Sequence, residues 1–375
     1  MSFASSRIAL GCVTLAALLA AVGCGSDSTT TPGTTVRGFL DGTASDAGIA
    51  SMLSSNNKSL VLVQTGAPSV RTEVPFGAST TITPTGVAIR GTTAAVPLGN
   101  AASVAIVDLT QSAVQKYFTF ASGNATGIAW VDDSTVIVCN QGHAIAGRIR
   151  TNRAGGAITD TVKVALFPTG VVVNNGRVFI ISSNLDANFT SVGNGVVTEI
   201  NPNTMAVIRT FSTGGVDPQS GAFDAAGKLY VTNSGNFGAF DGTLGIINLA
   251  TNALEQTVTG FGDFPGDITI DAQGRALVSS FSTGSFIWNT VTKTFIRSPT
   301  NALCAPTTAA AGAPCRGSSG GAFGLNGKIY TTFFGSASKN QPAYMFVFDG
   351  TTYALTDSIN VPIGPSGLSI QKITK

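Results

Sequence analysis

Gly227-Lys-Leu-Tyr-Val-Thr-Asn-Ser-Gly235 is a short apolar strand held between a turn glycine and a polar stop. Looser copies stand at Gly176-Arg-Val-Phe-Ile-Ile-Ser-Ser-Asn184, Gly274-Arg-Ala-Leu-Val-Ser-Ser-Phe281 and Gly327-Lys-Ile-Tyr-Thr-Thr-Phe333. They recur about every 40 to 55 residues, and a strand-bearing period of that length is the signature of a repeat array such as a propeller. The strands are apolar on both faces rather than cleanly alternating. Sheets sandwiched between neighbouring sheets have that pattern.

Working outward, each repeat has one grammar. A small Pro or Gly loop leads into a short apolar strand, a tight turn follows, and then the phrase above. The lead-ins are Pro84-Thr-Gly86, Ala125-Thr-Gly127, Pro168-Thr-Gly170, Pro218-Gln-Ser-Gly221, Pro265-Gly266, Ser319-Gly-Gly321 and Pro365-Ser-Gly367, which makes seven. The turns before the phrase are Asn174-Asn-Gly176, Asp224-Ala-Ala-Gly227, Asp271-Ala-Gln-Gly274 and Leu325-Asn-Gly327, with the residues such turns want. Third strands end alike, as in Val104-Ala-Ile-Val-Asp108, Val197-Thr-Glu-Ile-Asn201 and Phe346-Val-Phe-Asp349. Gly147-Arg-Ile-Arg150, in the second repeat, is polar for a third strand.

The seventh lead-in has one strand after it and then the chain stops. Its missing strands lie at the other end, where Ser59-Leu-Val-Leu-Val63 and Ser69-Val-Arg-Thr-Glu-Val74 fit the third and fourth positions. The expected fold is therefore an all-β, seven-bladed β-propeller closed by an N-/C-terminal strand clasp. Such a clasp leaves no blade with an open side. The alternative is a ring of six blades with frayed ends.

Tyr230-Val-Thr-Asn233 is the four-residue phrase that names the YVTN family of β-propeller repeats, and the chain resembles that family over roughly residues 51–375. The resemblance implies an exported or surface-exposed seven-bladed propeller with a binding role. It says little about a ligand, because one fold hosts many functions.

The first residues read as a targeting segment. Arg7 supplies a positive start, and Ile8 to Val22 is apolar but short for a bilayer span. The segment ends at Ala21-Val-Gly-Cys24, which resembles the lipobox of bacterial lipoproteins with Ala21 where Leu is usual. The resemblance implies a signal peptide over residues 1–23 and lipidation of Cys24. An ordinary cleaved signal is the alternative. Residues 24–50 read as a lipidated flexible tether and 51–375 as a single propeller domain. Gly25 to Thr35 is Gly, Ser, Asp, Thr and Pro, which cannot bury a core. Acyl chains would hold the protein at a membrane surface of the cell envelope. Gly25 stands where an Asp would favour retention at the inner membrane, so the outer membrane is the default, facing the periplasm or the cell surface.

Removing Arg7 from the 21 basic residues leaves 20 against 19 acidic ones. No basic stripe argues for nucleic acid. Charged residues are 11% of the chain, well below the usual quarter or so, and Gly, Ser, Thr and Asn take their place.

Cys304 and Cys315 bracket a Pro/Ala/Gly-rich loop. In an exported protein they read as a disulfide, with a metal site as the rival. Cys139 follows the strand Ser134-Thr-Val-Ile-Val138 and reads as a small buried apolar residue rather than a nucleophile.

Length variation concentrates in the connections assigned to the second and third strands. These are Gly91 to Ala102, Asn140 to Gly147, Asn184 to Gly195, Asn233 to Thr243 and Gly335 to Pro342. Variable loops on one rim of a rigid scaffold mark a working face, although loops also drift without purpose. That face carries Asn184, Asn188, Phe189, Asn233, Asn236, Phe237, Phe240, Asp241, Phe281 and Phe334. Amides and rings without charge suit a protein, peptide or polysaccharide partner. Alternatively the rings plug seams between blades and the amides cap turns.

An enzyme is the rival class. Propeller lactonases and lyases need a divalent cation held by acidic residues at the central channel, or a catalytic His. The single His, His143, lies in a Gly-rich loop and cannot build a multi-His metal site. Asp217 and Asp267 fall where first strands begin and could hold calcium together with Asn ligands. Capping the strand starts is the other role. Quinone-cofactor propellers stack the cofactor on Trp, and Trp130 and Trp288 look like strand residues. No resident cofactor is expected apart from a possible calcium ion.

Overall fold

In the strand Lys228–Asn233, Leu229 and Val231 point into one seam, against Phe179 and Ile181, and Tyr230 points into the opposite seam, against Ala276, Val278 and Trp288. The phrase is apolar throughout because both its faces are interiors.

The computed structural model describes residues 39–40, 48–304 and 317–373. These residues form seven sheets arranged as a β-propeller. Numbered from the first lead-in, blade 1 holds Ala88–Arg90, Thr93–Pro97, Ser103–Asp108 and Ala113–Thr119. Blade 2 holds Ala125–Trp130, Thr135–Asn140, Ile145–Arg150 and Thr161–Lys163. Blade 3 runs from Pro168–Asn174 to Ala206–Ser212, and blade 4 from Pro218–Phe223 to Ala253–Thr259. Blade 5 runs from Pro265–Ile270 to Thr294–Arg297, and blade 6 from Gly320–Phe323 to Leu355–Val361. In blade 7 the C-terminal strand Pro365–Gln371 pairs antiparallel with Ile49–Ser54, followed by Ser59–Gln64 and Arg71–Pro75. Seven sheets exclude the six-bladed alternative.

Seven apolar clusters fill the seams, one between each pair of neighbouring blades, including blades 7 and 1. Each fully buried aliphatic or aromatic side chain contributes roughly 1.5–3 kcal/mol. Hydroxyls staple the inner ring as well. Thr85 Oγ1 donates to the carbonyl of Ala125 at 2.9 Å, Thr126 to Pro168 at 2.9 Å, Thr169 to Pro218 at 3.1 Å and Ser319 to Pro365 at 2.5 Å. In the three threonine bonds the second residue of one lead-in reaches the first residue of the next, and in the fourth the first residue of the sixth lead-in, Ser319, reaches the first of the seventh.

The turn glycines before the second strands, Gly176, Gly227, Gly274 and Gly327, have φ of 74–77°. Space is open around Gly176, Gly227 and Gly327, so their left-handed backbone, not crowding, requires glycine there.

Two sequence boundaries move, and one strand pairs outside its own blade. A tether ending at residue 50 would cut the strand Ile49–Ser54, whose Ile49 and Ala50 are buried. Residues 91–102 are not one loop, because Thr93–Pro97 is the second strand of blade 1. In blade 2, Gly156–Ala157 leaves its own sheet and pairs in parallel with Ala113–Thr119, giving blade 1 a fifth strand.

Candidate functional site

The residue just before four of the five lead-in prolines takes an unusual backbone, Thr83 before Pro84 being the exception. Phe167, Asp217 and Phe264 have φ of 55°, 51° and 52°, and each precedes a proline. The equivalent residue of blade 7 is Gly364, at φ 80°. A side chain in a left-handed conformation costs on the order of 1–3 kcal/mol, and glycine would avoid it. Blades 3 to 5 therefore keep side chains at a strained position of the rim. The backbone there is pinned from the loop side: Ser183 N–H donates to Phe167 O at 2.9 Å and Ser234 N–H to Asp217 O at 3.0 Å.

These three residues line one groove of about 430 Å³ across blades 3 to 5. Phe189, from the loop after the second strand of blade 3, meets Phe167 edge-on, with ring centres 5.4 Å apart. Phe237, from the corresponding loop of blade 4, meets Phe264 edge-on at 5.7 Å. Leu185 and Val216 add aliphatic wall. Asp217 thus occupies, between two phenylalanine pairs, the position that a phenylalanine holds on either side. Gln219 replaces the threonine of the hydroxyl ring, and its Nε2 donates to Asp217 Oδ1 at 2.8 Å. Burial raises the Asp217 pKa, and hydrogen bonds from Ser183 and Gln219 offset part of that. A third pair, Phe281 with Phe334 at 5.5 Å, joins blades 5 and 6.

Phe189 and Phe237 are 71% and 76% exposed, so most of their ring surface faces solvent. Phe240 and Phe281 are exposed as well. The amides behave differently. Asn233 is fully buried, and its Nδ2 donates to Thr213 O at 3.3 Å and Thr243 Oγ1 at 3.1 Å. It ties the second and third strands of blade 4 to the connection from blade 3 and is not part of the exposed face. Asn184 donates to Asn194 O at 3.0 Å, within its own loop. Asn188 is exposed, and its backbone N–H donates to Asp186. Asn236 and Asp241 hold each other, with Asp241 accepting from both the backbone N–H and Nδ2 of Asn236 at 2.8 Å. Phe167, Phe264 and Gln219 were not singled out from sequence. Their one signal is position, directly before or after a lead-in proline.

Gln219 also lines the central channel, a cavity of about 430 Å³ walled by residues in or just before the first strands of all seven blades. Among the described residues Asp267 is the one charged residue on that wall. Its Oδ1 accepts from Ile268 N–H at 3.0 Å and its Oδ2 from Gly321 N–H at 3.4 Å. Burial outweighs these bonds and pushes the pKa up to about 6. Asp217 and Asp267 therefore line different cavities. Among the described residues no group of three or more His, Cys, Asp or Glu side chains is placed to hold a metal ion.

His143 ends a short 3-10 turn, with Nε2 2.8 Å from Ser122 Oγ on the exposed surface. Cys139 is a buried free thiol at the seam of blades 2 and 3. Cys24 and Cys315 lie outside the described residues, as does most of the loop after Cys304.

No family model matches the chain, and no curated protein matches its sequence. Solved structures do share its fold. One is a functionally unknown protein from Desulfotomaculum acetoxidans DSM 771, with a TM-score of 0.64 at 14% identity, covering 87% of this chain and 100% of that one. Another is Kuenenia stuttgartiensis hydrazine synthase, with a TM-score of 0.56 at 12% identity, covering 79% of this chain and 97% of that one. At such identities the likeness shows the fold alone.

Proposed function

We propose that this chain is a binding propeller of the cell envelope that holds a protein, peptide or polysaccharide partner on its variable-loop face. The observation that carries this reading is the groove across blades 3 to 5, where two phenylalanine pairs, each with one exposed ring, stand at repeated positions on loops held by rigid sheets. Exposed rings in one concave surface mark interaction sites. Side chains retained at strained backbone positions along the groove support the same face. The strand phrase, which resembles the YVTN family, and the Cys24 segment, which resembles a lipobox, add an exported and lipid-anchored protein to the reading. Outer-membrane attachment is part of the proposal.

Cross-linking in the native envelope, followed by identification of the captured partner, tests the reading. The captured species should be lost in a Phe189→Ala/Phe237→Ala double variant that melts like the parent. Equal capture by parent and double variant would remove the groove from the proposal. The anchor is tested separately by fractionating a Cys24→Ala variant, which should leave the membrane; unchanged membrane attachment would refute it.

A further inference from the structure

The groove has an internal comparison built into its repeats. At the residue before the lead-in proline, blades 3 and 5 carry Phe167 and Phe264, and blade 4 carries Asp217. At the residue after it, blade 3 carries Thr169, which staples the ring, and blade 4 carries Gln219, which turns back to Asp217. Two neighbouring departures from the repeat thus place one hydrogen-bonded carboxylate between two aromatic pairs. Among the described residues no Lys, Arg or His lines the groove, and Asp217 makes no ion pair. Its half-buried negative charge has only a neutral amide and a hydroxyl to compensate it. Phenylalanine faces carry negative electrostatic potential and attract cations.

We propose that this groove seats a lysine or arginine side chain of a peptide partner, its cation beside Asp217 and its stem along the phenylalanine pairs. The proposal rests on the loop-face reading above and names the chemistry of the partner. Lysine and arginine bury an aliphatic stem along apolar surface while the charged head seeks a counter-ion. Leu185, Val216 and the rings supply that apolar wall, and Asp217 the counter-ion. A neutral sugar would fill the rings and leave the carboxylate uncompensated. An acidic ligand would be repelled.

The test is selection of a random peptide library displayed on phage against the purified full chain, with the hits then synthesised. Enriched peptides should share one Lys or Arg. Replacing that residue by Gln, or acetylating the lysine, should weaken binding by roughly tenfold or more, the loss of about 1.4 kcal/mol. Asp217→Asn should weaken the parent peptide similarly yet no longer distinguish it from its Gln form. Phe237→Ala, at an exposed site, should weaken both forms and guards against a misfolded Asp217→Asn protein. Hits without a shared cation that still depend on Phe237 would overturn the cation and leave loop-face binding standing. An empty selection would also overturn the proposal, whereas the loop-face reading stands or falls on the envelope cross-link. Preference for chitosan oligomers over every peptide would overturn it too.

Discussion

Ser51 and Ser369 face each other in the sheet that closes the ring, with Ser51 Oγ 3.4 Å from the Ser369 carbonyl, although 318 residues separate them in the chain. The pairing makes the C-terminal strand the innermost strand of a blade whose other strands come from the N-terminal side. It also completes two seams. Leu368 packs with Tyr330 and Met345 of blade 6, and Ile373 with Val96 and Val107 of blade 1.

Deleting residues 367–375 therefore removes far more than a tail. The lost burial is roughly 1.5–3 kcal/mol per aliphatic side chain, which over several residues approaches the whole stability of a domain. The truncated chain should be insoluble or rapidly proteolysed. A cooperative melt at the parental temperature would mean that the clasp contributes nothing.

Asp267 makes stability depend on pH. Its folded pKa of about 6 lies above the ordinary carboxyl value of 3.8, so between these values the folded state binds more protons than the unfolded one. Stability falls as pH rises through that window and is level above it. Asp267→Asn should stabilise the protein at pH 7 to 8 by on the order of 2–3 kcal/mol, seen as a higher melting temperature, and the gain should vanish below about pH 4. A gain or loss that does not change with pH would show that the carboxyl is not held in this state.

Much of the ring was legible because it rests on local rules. The proline lead-ins, the turn glycines and phrases such as Leu229-Tyr230-Val231 each report a strand and its limits. Ile49–Ser54 was missed because its residues are buried on both faces, which gives no alternation, and because a polar, small-residue segment runs up to it. The parallel pairing of Gly156–Ala157 on blade 1 is a tertiary contact with no sequence period. Asn233 and Asn236 look alike in sequence, yet one is strand and buried and the other is loop and exposed. The groove needed the backbone. Phe167, Asp217 and Phe264 share a sequence position, each directly before a lead-in proline, but their shared left-handed φ and common cavity show only in the structure.

The thiols should behave differently from one another. Burial pushes the Cys139 thiol far up, and its Sγ lies 3.7 Å from the Gly170 carbonyl. It should react with a small alkylating agent only in denaturant; fast labelling of the native protein would contradict its burial. We propose that Cys304 pairs with Cys315, closing a short loop worth roughly 2–3 kcal/mol. Non-reducing peptide mapping of exported protein should recover the linked pair, and two free thiols would refute it.

Calcium provides the sharpest contrast with an enzyme at the channel. A specific bound ion stabilises by about 2.7 kcal/mol at a hundredfold excess over its dissociation constant. With Asp217 and Asp267 in separate cavities, calcium should leave the melting temperature unchanged. A rise reversed by chelator and lost in Asp267→Asn or Asp217→Ala would favour a calcium-dependent hydrolase or lactonase instead.

The most direct test places a photo-cross-linking residue on one face at a time in the native envelope. At Phe237, on the loop face, it should yield a discrete adduct. At Ala226, in the exposed turn between the first and second strands of blade 4, it should yield none. Adducts from Ala226 with none from Phe237, or no difference between the two, would contradict binding through the groove.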